Sequence, residues 1–235
     1  LSTGWYATDE PGVTARTLFV TGTDTGVGKT LVSVALLRGL RAAGFRAVGY
    51  KPVASGCALT SEGLRNDDAL ALWAAGEPGW HYGDINPYAF ADPIAPHIAA
   101  ADAGVTVDTG VLGAGHARLA AANDWVIVEG AGGWHVPLDD DIDFADWVAG
   151  VGWPVLLVVG MRLGCVNHAL LSAHAIAART GMAGWVANVM PPVQARVDDN
   201  IACLESRMPA PCRATIEPGP TAELALNPDP WLARS

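Results

Sequence analysis

Five short runs, Leu18 to Thr21, Ala47 to Tyr50, Trp125 to Val128, Val155 to Val159 and Trp185 to Ala187, are apolar with little alternation. A strand wetted on one face alternates apolar and polar residues, whereas a strand covered on both faces need not. Between the runs lie segments of helical period at about 30–43, 67–75, 108–122, 143–150 and 166–180. Strand and helix in alternation predict an α/β fold, a doubly wound, mostly parallel sheet with helices on both faces. Ligands of such sheets sit beyond the carboxyl ends of the strands, so the residues just after each run are where chemistry is expected.

A chain of 235 residues suits one domain. Residues 17–235 are read as that domain, and 1–16, with Gly4, Pro11 and Gly12 and no periodicity, as a flexible or processed extension. The tail from Pro209 is rich in Pro and Ala and is expected to be irregular. Fourteen basic against twenty-four acidic side chains leave a net charge of −10, which disfavours nucleic acid and anionic lipid as partners. No apolar stretch approaches the roughly 18 residues of a membrane span, and no export signal is evident. Cys57, Cys165, Cys203 and Cys212 are far apart and form no C-x-x-C pair. Free thiols in a cytoplasmic protein are therefore expected rather than a disulfide framework or a zinc site.

The first run leads into Gly22-Thr23-Asp24-Thr25-Gly26-Val27-Gly28-Lys29-Thr30 and then a helical segment. Glycines let main-chain N–H groups converge on phosphate oxygens, a helix N-terminus adds positive dipole, a lysine reaches the β- and γ-phosphates, and a hydroxyl ligates Mg²⁺. The common loop has four residues between its first Gly and Gly-Lys; here Gly22 is followed by five, so the loop is a variant. Thr25, Gly26, Val27, Gly28, Lys29 and Thr30 are the expected nucleotide contacts. A dinucleotide fingerprint fits poorly, because Leu31 occupies the place of its third glycine.

Lys29 and Lys51 are the only lysines among fourteen basic residues, and Lys51 directly follows the second run, in Tyr50-Lys51-Pro52-Val53-Ala54-Ser55-Gly56. A compact ammonium serves where a planar guanidinium would not fit. Ser55 is either a hydrogen-bond donor to a ligand or a turn-forming serine. Mg²⁺ favours oxygen ligands, commonly one or two carboxylates with a hydroxyl and phosphates. Glu129 ends the third run and is followed by Gly130-Ala131-Gly132-Gly133, where a ligand can approach the main chain. Asp68 is a second candidate, although Asn66, Asp67 and Asp68 also have the pattern of an ordinary capped helix start.

Together the segments GTDTGVGKT, YKPVASG, LRNDDALAL and VEGAGGW, in this order and spacing, resemble the dethiobiotin synthetase family from about Thr17 to Pro211. The resemblance implies a phosphate-loop α/β enzyme that dimerises and joins CO₂ to 7,8-diaminopelargonate, using ATP to close a cyclic urea. In that chemistry the 7-amino group captures CO₂, the carbamate oxygen attacks the γ-phosphate, and the 8-amino group closes the ring with loss of phosphate.

Carried onto this sequence, the resemblance implies that Lys29 and Thr30 meet phosphates and Mg²⁺, with Asp68 and Glu129 completing the metal shell. Lys51, Lys29 and Thr25 become the catalytic candidates, with Lys51 facing the carbamate. Ser55 and Gly132 would contact the reacting groups, and Gly164, Cys165 and Asn167 would receive the substrate carboxylate from the neighbouring subunit of a homodimer. Asn188 matches the family's contact to the nucleotide base. Two departures stand out: Gly26 replaces an acidic residue of some members, and a Gly-Glu-Ile-Pro-Trp-Leu-like stretch is represented only by Ala214-Thr215-Ile216-Glu217-Pro218. Partition-type ATPases share the variant loop, but neither a basic face nor an amphipathic tail accompanies it here.

Overall fold

The computed structural model describes residues 15–219 and 225–229. The chain opens with β1 (Arg16–Gly22), α1 (Lys29–Ala42), β2 (Ala47–Tyr50), β3 (Val53–Ala54), β4 (Ala58–Thr60) and β5 (Gly63–Arg65). It continues through α2 (Asp67–Ala75), α3 (Tyr82–Ile85), β6 (Tyr88–Ala89), α4 (Pro96–Asp102), α5 (Thr109–Ala122) and β7 (Trp125–Glu129). There follow α6 (Phe144–Val151), β8 (Val155–Met161), α7 (Cys165–Ala177), β9 (Met182–Val189), α8 (Val197–Glu205) and β10 (Cys212–Ile216).

Six strands form one parallel sheet in the order β10-β9-β8-β1-β7-β2. The five apolar runs are its inner strands and one edge, and Phe19, Val20, Ile127, Val128, Leu157 and Val158 are fully excluded from water. That burial on both faces is why the runs do not alternate. Strand β1 lies between β7 and β8, and the chain passes from one side of it to the other. The loop after β1 therefore occupies the topological switch point, where a sheet of this class opens a crevice. On the flank, β3 pairs with β6 and β4 with β5, outside the main sheet.

The helices start and stop on local chemistry. Asn66 caps α2 by accepting from the Ala69 amide at 3.2 Å, and Asp108 caps α5 through Gly110 at 2.7 Å. Asp143 and Asp146 make a reciprocal capping box at α6, which Gly152 ends in the left-handed conformation.

Two sequence expectations need correction. The first strand begins at Arg16, with Ala15 already buried, so the folded unit starts before residue 17. Residues 1–14 lie outside the described residues. The tail after Pro209 is not wholly irregular: Cys212–Ile216 adds a sixth parallel strand beside β9. An edge strand with one wetted face carries no continuous apolar run, so it left little pattern to read.

Candidate active site

The loop after β1 turns on two glycines, Gly26 at φ +71° and Gly28 at φ +95°. At Gly28 a Cβ would fall 2.3 Å from Asn188 Nδ2, so both conformation and space require glycine. Asn188, at the carboxyl end of β9, donates from that nitrogen to the Val27 carbonyl at 2.9 Å and braces the loop. Lys29 opens α1 with its side chain folded inward, where Nζ donates to the Asp24 carbonyl at 3.0 Å. Burial, and then the charge of Lys51, lower its pKa to about 8. Asp24 accepts from the Thr25 amide at 2.7 Å and forms an ion pair with Arg162 at the end of β8.

Strands β2 and β7 bring the second lysine and the principal carboxylate together. Lys51 Nζ lies 2.7 Å from Glu129 Oε1, 3.3 Å from Asp68 Oδ2 and 3.1 Å from the Gly130 carbonyl. The Thr30 hydroxyl donates to Glu129 Oε1 at 2.9 Å. Burial opposes the charge on Lys51, but Glu129 and Asp68 outweigh it and raise the lysine pKa. Burial likewise works against the Asp68 charge, but the charge of Lys51 and its hydrogen bond, together with Lys29, hold that carboxyl below its usual range. Two cations and two carboxylates thus converge beside the phosphate loop. Gly132, at φ +61°, lies beside the phosphate loop: a Cβ there would meet Val136 Cγ2 at 3.0 Å and Thr25 Oγ1 at 3.8 Å.

The donor set fits a hard divalent cation. Glu129 is fully buried, yet its Oε2 has no hydrogen-bond partner, an arrangement that is costly unless something meets that oxygen. Thr30, Asp68 and Glu129 offer only oxygen. Among the described residues no group of three or more His, Cys, Asp or Glu could hold a metal, so phosphate oxygens would have to complete the shell.

Other expected residues lie elsewhere. Ser55 follows β3, and its carbonyl accepts from the side-chain Nδ2 of Asn66 at 3.4 Å. Gly164 (φ +96°) caps α7 without a side chain, Cys165 is buried with its sulfur 3.7 Å from Gln194 Nε2, and Asn167 is exposed. None of the hydrogen bonds joining Lys51, Glu129, Asp68 and Thr30 reaches these three residues. Leu163 beside them is 96% exposed. Sequence reading missed Arg162 and the residues that grip the main chain of Lys51, because only the fold brings them near.

A family model described as an AAA domain matches residues 16–223. The ATP-dependent dethiobiotin synthetase BioD of Xanthomonas oryzae pv. oryzae (strain PXO99A) is 52% identical over 89% of this chain and 94% of its own length. ATP-dependent dethiobiotin synthetase BioD 1 of Escherichia coli (strain K12) is 47% identical over 94% of this chain and 93% of its own. Among solved structures, the septum site-determining protein MinD of Pyrococcus horikoshii OT3 superposes with a TM-score of 0.59 at 14% identity. That likeness covers 92% of this chain and 88% of MinD, and it concerns the fold alone. At about half identity over nearly their whole length, and with a phosphate loop and a lysine–carboxylate cluster at one sheet edge, this chain belongs to the dethiobiotin synthetase family.

Proposed function

We propose that the cluster at the carboxyl edge of β1, β2 and β7 catalyses formation of dethiobiotin from 7,8-diaminopelargonate, CO₂ and ATP, as a ligase of biotin synthesis. The observation that carries this reading is Lys51, a buried cation fixed between Glu129 and Asp68 beside a phosphate loop. The loop amides, the α1 N-terminus and Lys29 hold the ATP phosphates. Lys51 stabilises negative charge on the carbamate as it forms and as its oxygen attacks the γ-phosphate. Thr25, Ser55 and Gly132 orient the diamine, and the 8-amino group then displaces phosphate to close the ring.

Thr30, Asp68 and Glu129 would hold Mg²⁺, which, when bound, neutralises charge on the phosphate oxygens. Charge accumulates on oxygen throughout, so fixed cations and in-line placement supply most of the catalysis. In this reading the enzyme is a homodimer, and Gly164, Cys165 and Asn167 of α7 receive the substrate carboxylate from the neighbouring subunit. The exposed Leu171 on α7 and the exposed Leu163 in the loop just before it support a contact there. No helix among the described residues is long and apolar enough to cross a membrane.

Incubation with diaminopelargonate, bicarbonate, Mg²⁺ and ATP, followed by mass spectrometry, tests the assignment. Dethiobiotin and ADP in equal amounts are expected; ATP hydrolysis without dethiobiotin would overturn it.

A further inference from the structure

We propose that Tyr82 and Asn86 are positioning residues for this reaction: with the half-buried Asn66 these two buried side chains form a hydrogen-bonded chain that sets Lys51, Ser55 and Asp68 relative to one another. This rests on the role given above to Lys51. The ammonium of that residue is held by carboxylates, but its main chain is held by α3 and the residue after it. The Lys51 amide donates to the Ile85 carbonyl at 2.8 Å, and the Lys51 carbonyl accepts from Asn86 Nδ2 at 2.8 Å. The same nitrogen reaches the Tyr88 carbonyl at 3.1 Å, so both of its protons are used and the amide can face only one way.

Asn86 Oδ1 then accepts from the Tyr82 hydroxyl at 2.9 Å. With its single proton committed, that hydroxyl accepts from the Asn66 amide at 2.8 Å. Asn66 caps the helix that carries Asp68, and its side-chain nitrogen faces the Ser55 carbonyl. One chain of fixed polarity therefore ends on three candidate site residues. Tyr82 is 7% exposed and Asn86 3%. Its ring is clamped by the Arg65 guanidinium, 4.3 Å from the centroid, and by the edge of Trp73 at 6.2 Å. A fully satisfied buried network of this kind rigidifies what it joins, whereas removal of one member strands the rest.

Small displacements of a charge that must meet a developing oxyanion are expensive in rate. Tyr82→Phe removes one oxygen and keeps the ring. It is expected to lower turnover at saturating diaminopelargonate about 10-fold, with ATP affinity by calorimetry unchanged within about twofold. Asn86→Asp, which sets an oxygen against two carbonyls, is expected to act in the same direction and serves if the first variant fails to fold. Introduced into Lys51→Met, or into Lys51→Arg should the methionine variant not fold, Tyr82→Phe is expected to change the residual turnover less than about twofold, the signature of two residues acting as one unit.

Asn123→Ala, which removes a buried side-chain bond to the Leu119 carbonyl far along α5, is the destabilised control and is expected to keep its turnover. Full turnover in both network variants, additive losses in the double variant, or an equal loss in the control would each overturn the inference. Full turnover in Lys51→Met would instead overturn the role of Lys51 itself, so the two failures are distinguishable.

Discussion

Lys51 and Glu129 form an ion pair at 2.7 Å in which the lysine is 3% exposed and the carboxylate is fully buried. Two adjacent parallel strands, β2 and β7, deliver the pair from opposite halves of the sequence. Such a pair contributes little net stability because desolvation offsets much of the attraction, but losing one partner leaves a charge stranded away from water. Stability alone therefore does not account for the pair, which fits a role in chemistry at the site.

That asymmetry can be measured. Lys51→Met keeps the stem, removes the charge and should cost about 3–5 kcal/mol in urea unfolding. Adding Glu129→Gln should restore much of the loss while leaving no turnover. If the double variant is no more stable than Lys51→Met alone, the pair is not what constrains this part of the core.

The second prediction concerns the cation. Asp68→Asn and Glu129→Gln keep shape and remove charge, and each should raise the Mg²⁺ concentration needed for half-maximal turnover about 10-fold or more. The lone Glu129 Oε2 makes the second the larger effect. Unchanged Mg²⁺ titrations in both variants would exclude these residues as ligands.

How much of this was legible beforehand depends on where each interaction is encoded. The sheet was readable because strands buried on both faces must be apolar throughout, and the phosphate loop because Gly26, Gly28 and Lys29 do their work within a few consecutive residues. Helix α2 was placed at its observed bounds because Asn66 and Gly76 mark its ends locally. Asp68 had a local reading, a helix-start acid, that concealed its 3.3 Å contact with Lys51. Tyr82 and Asn86 gave no signal at all: α3 spans only four residues, and the partners that give these side chains meaning lie as far as thirty-five positions away.

The third prediction is weak selection among nucleoside triphosphates. Asn188 gives an amide proton to the Val27 carbonyl, and the neighbouring β10, which pairs Ile216 with Asn188, carries the segment that departs from the family pattern. ATP, GTP and CTP should compete within about one order of magnitude, a gap of roughly 1.4 kcal/mol. Asn188→Ala should weaken all three alike, because it loosens the loop rather than a base contact. Strict preference for ATP that disappears in Asn188→Ala would reverse this assignment.

The last prediction concerns pH and a residue outside the site. His116 on α5 is 8% exposed, with Nε2 2.9 Å from the Thr17 hydroxyl and its ring 4.3 Å from that of Trp153. Burial lowers its pKa from 6.5 to about 4, so the folded protein keeps the ring neutral where the unfolded chain takes up a proton. Stability from this residue is therefore intact above about pH 6.5 and declines as pH falls toward 4, the whole difference amounting to about 3 kcal/mol. Below pH 4 both states are protonated, and this contribution no longer changes. His116→Gln keeps a polar partner for Thr17 and removes the titration, so it should be less stable at pH 7.5 but lose less on acidification. Urea unfolding of both proteins between pH 7.5 and 4 decides the matter: parallel losses would mean that carboxylate protonation elsewhere, not His116, governs acid stability.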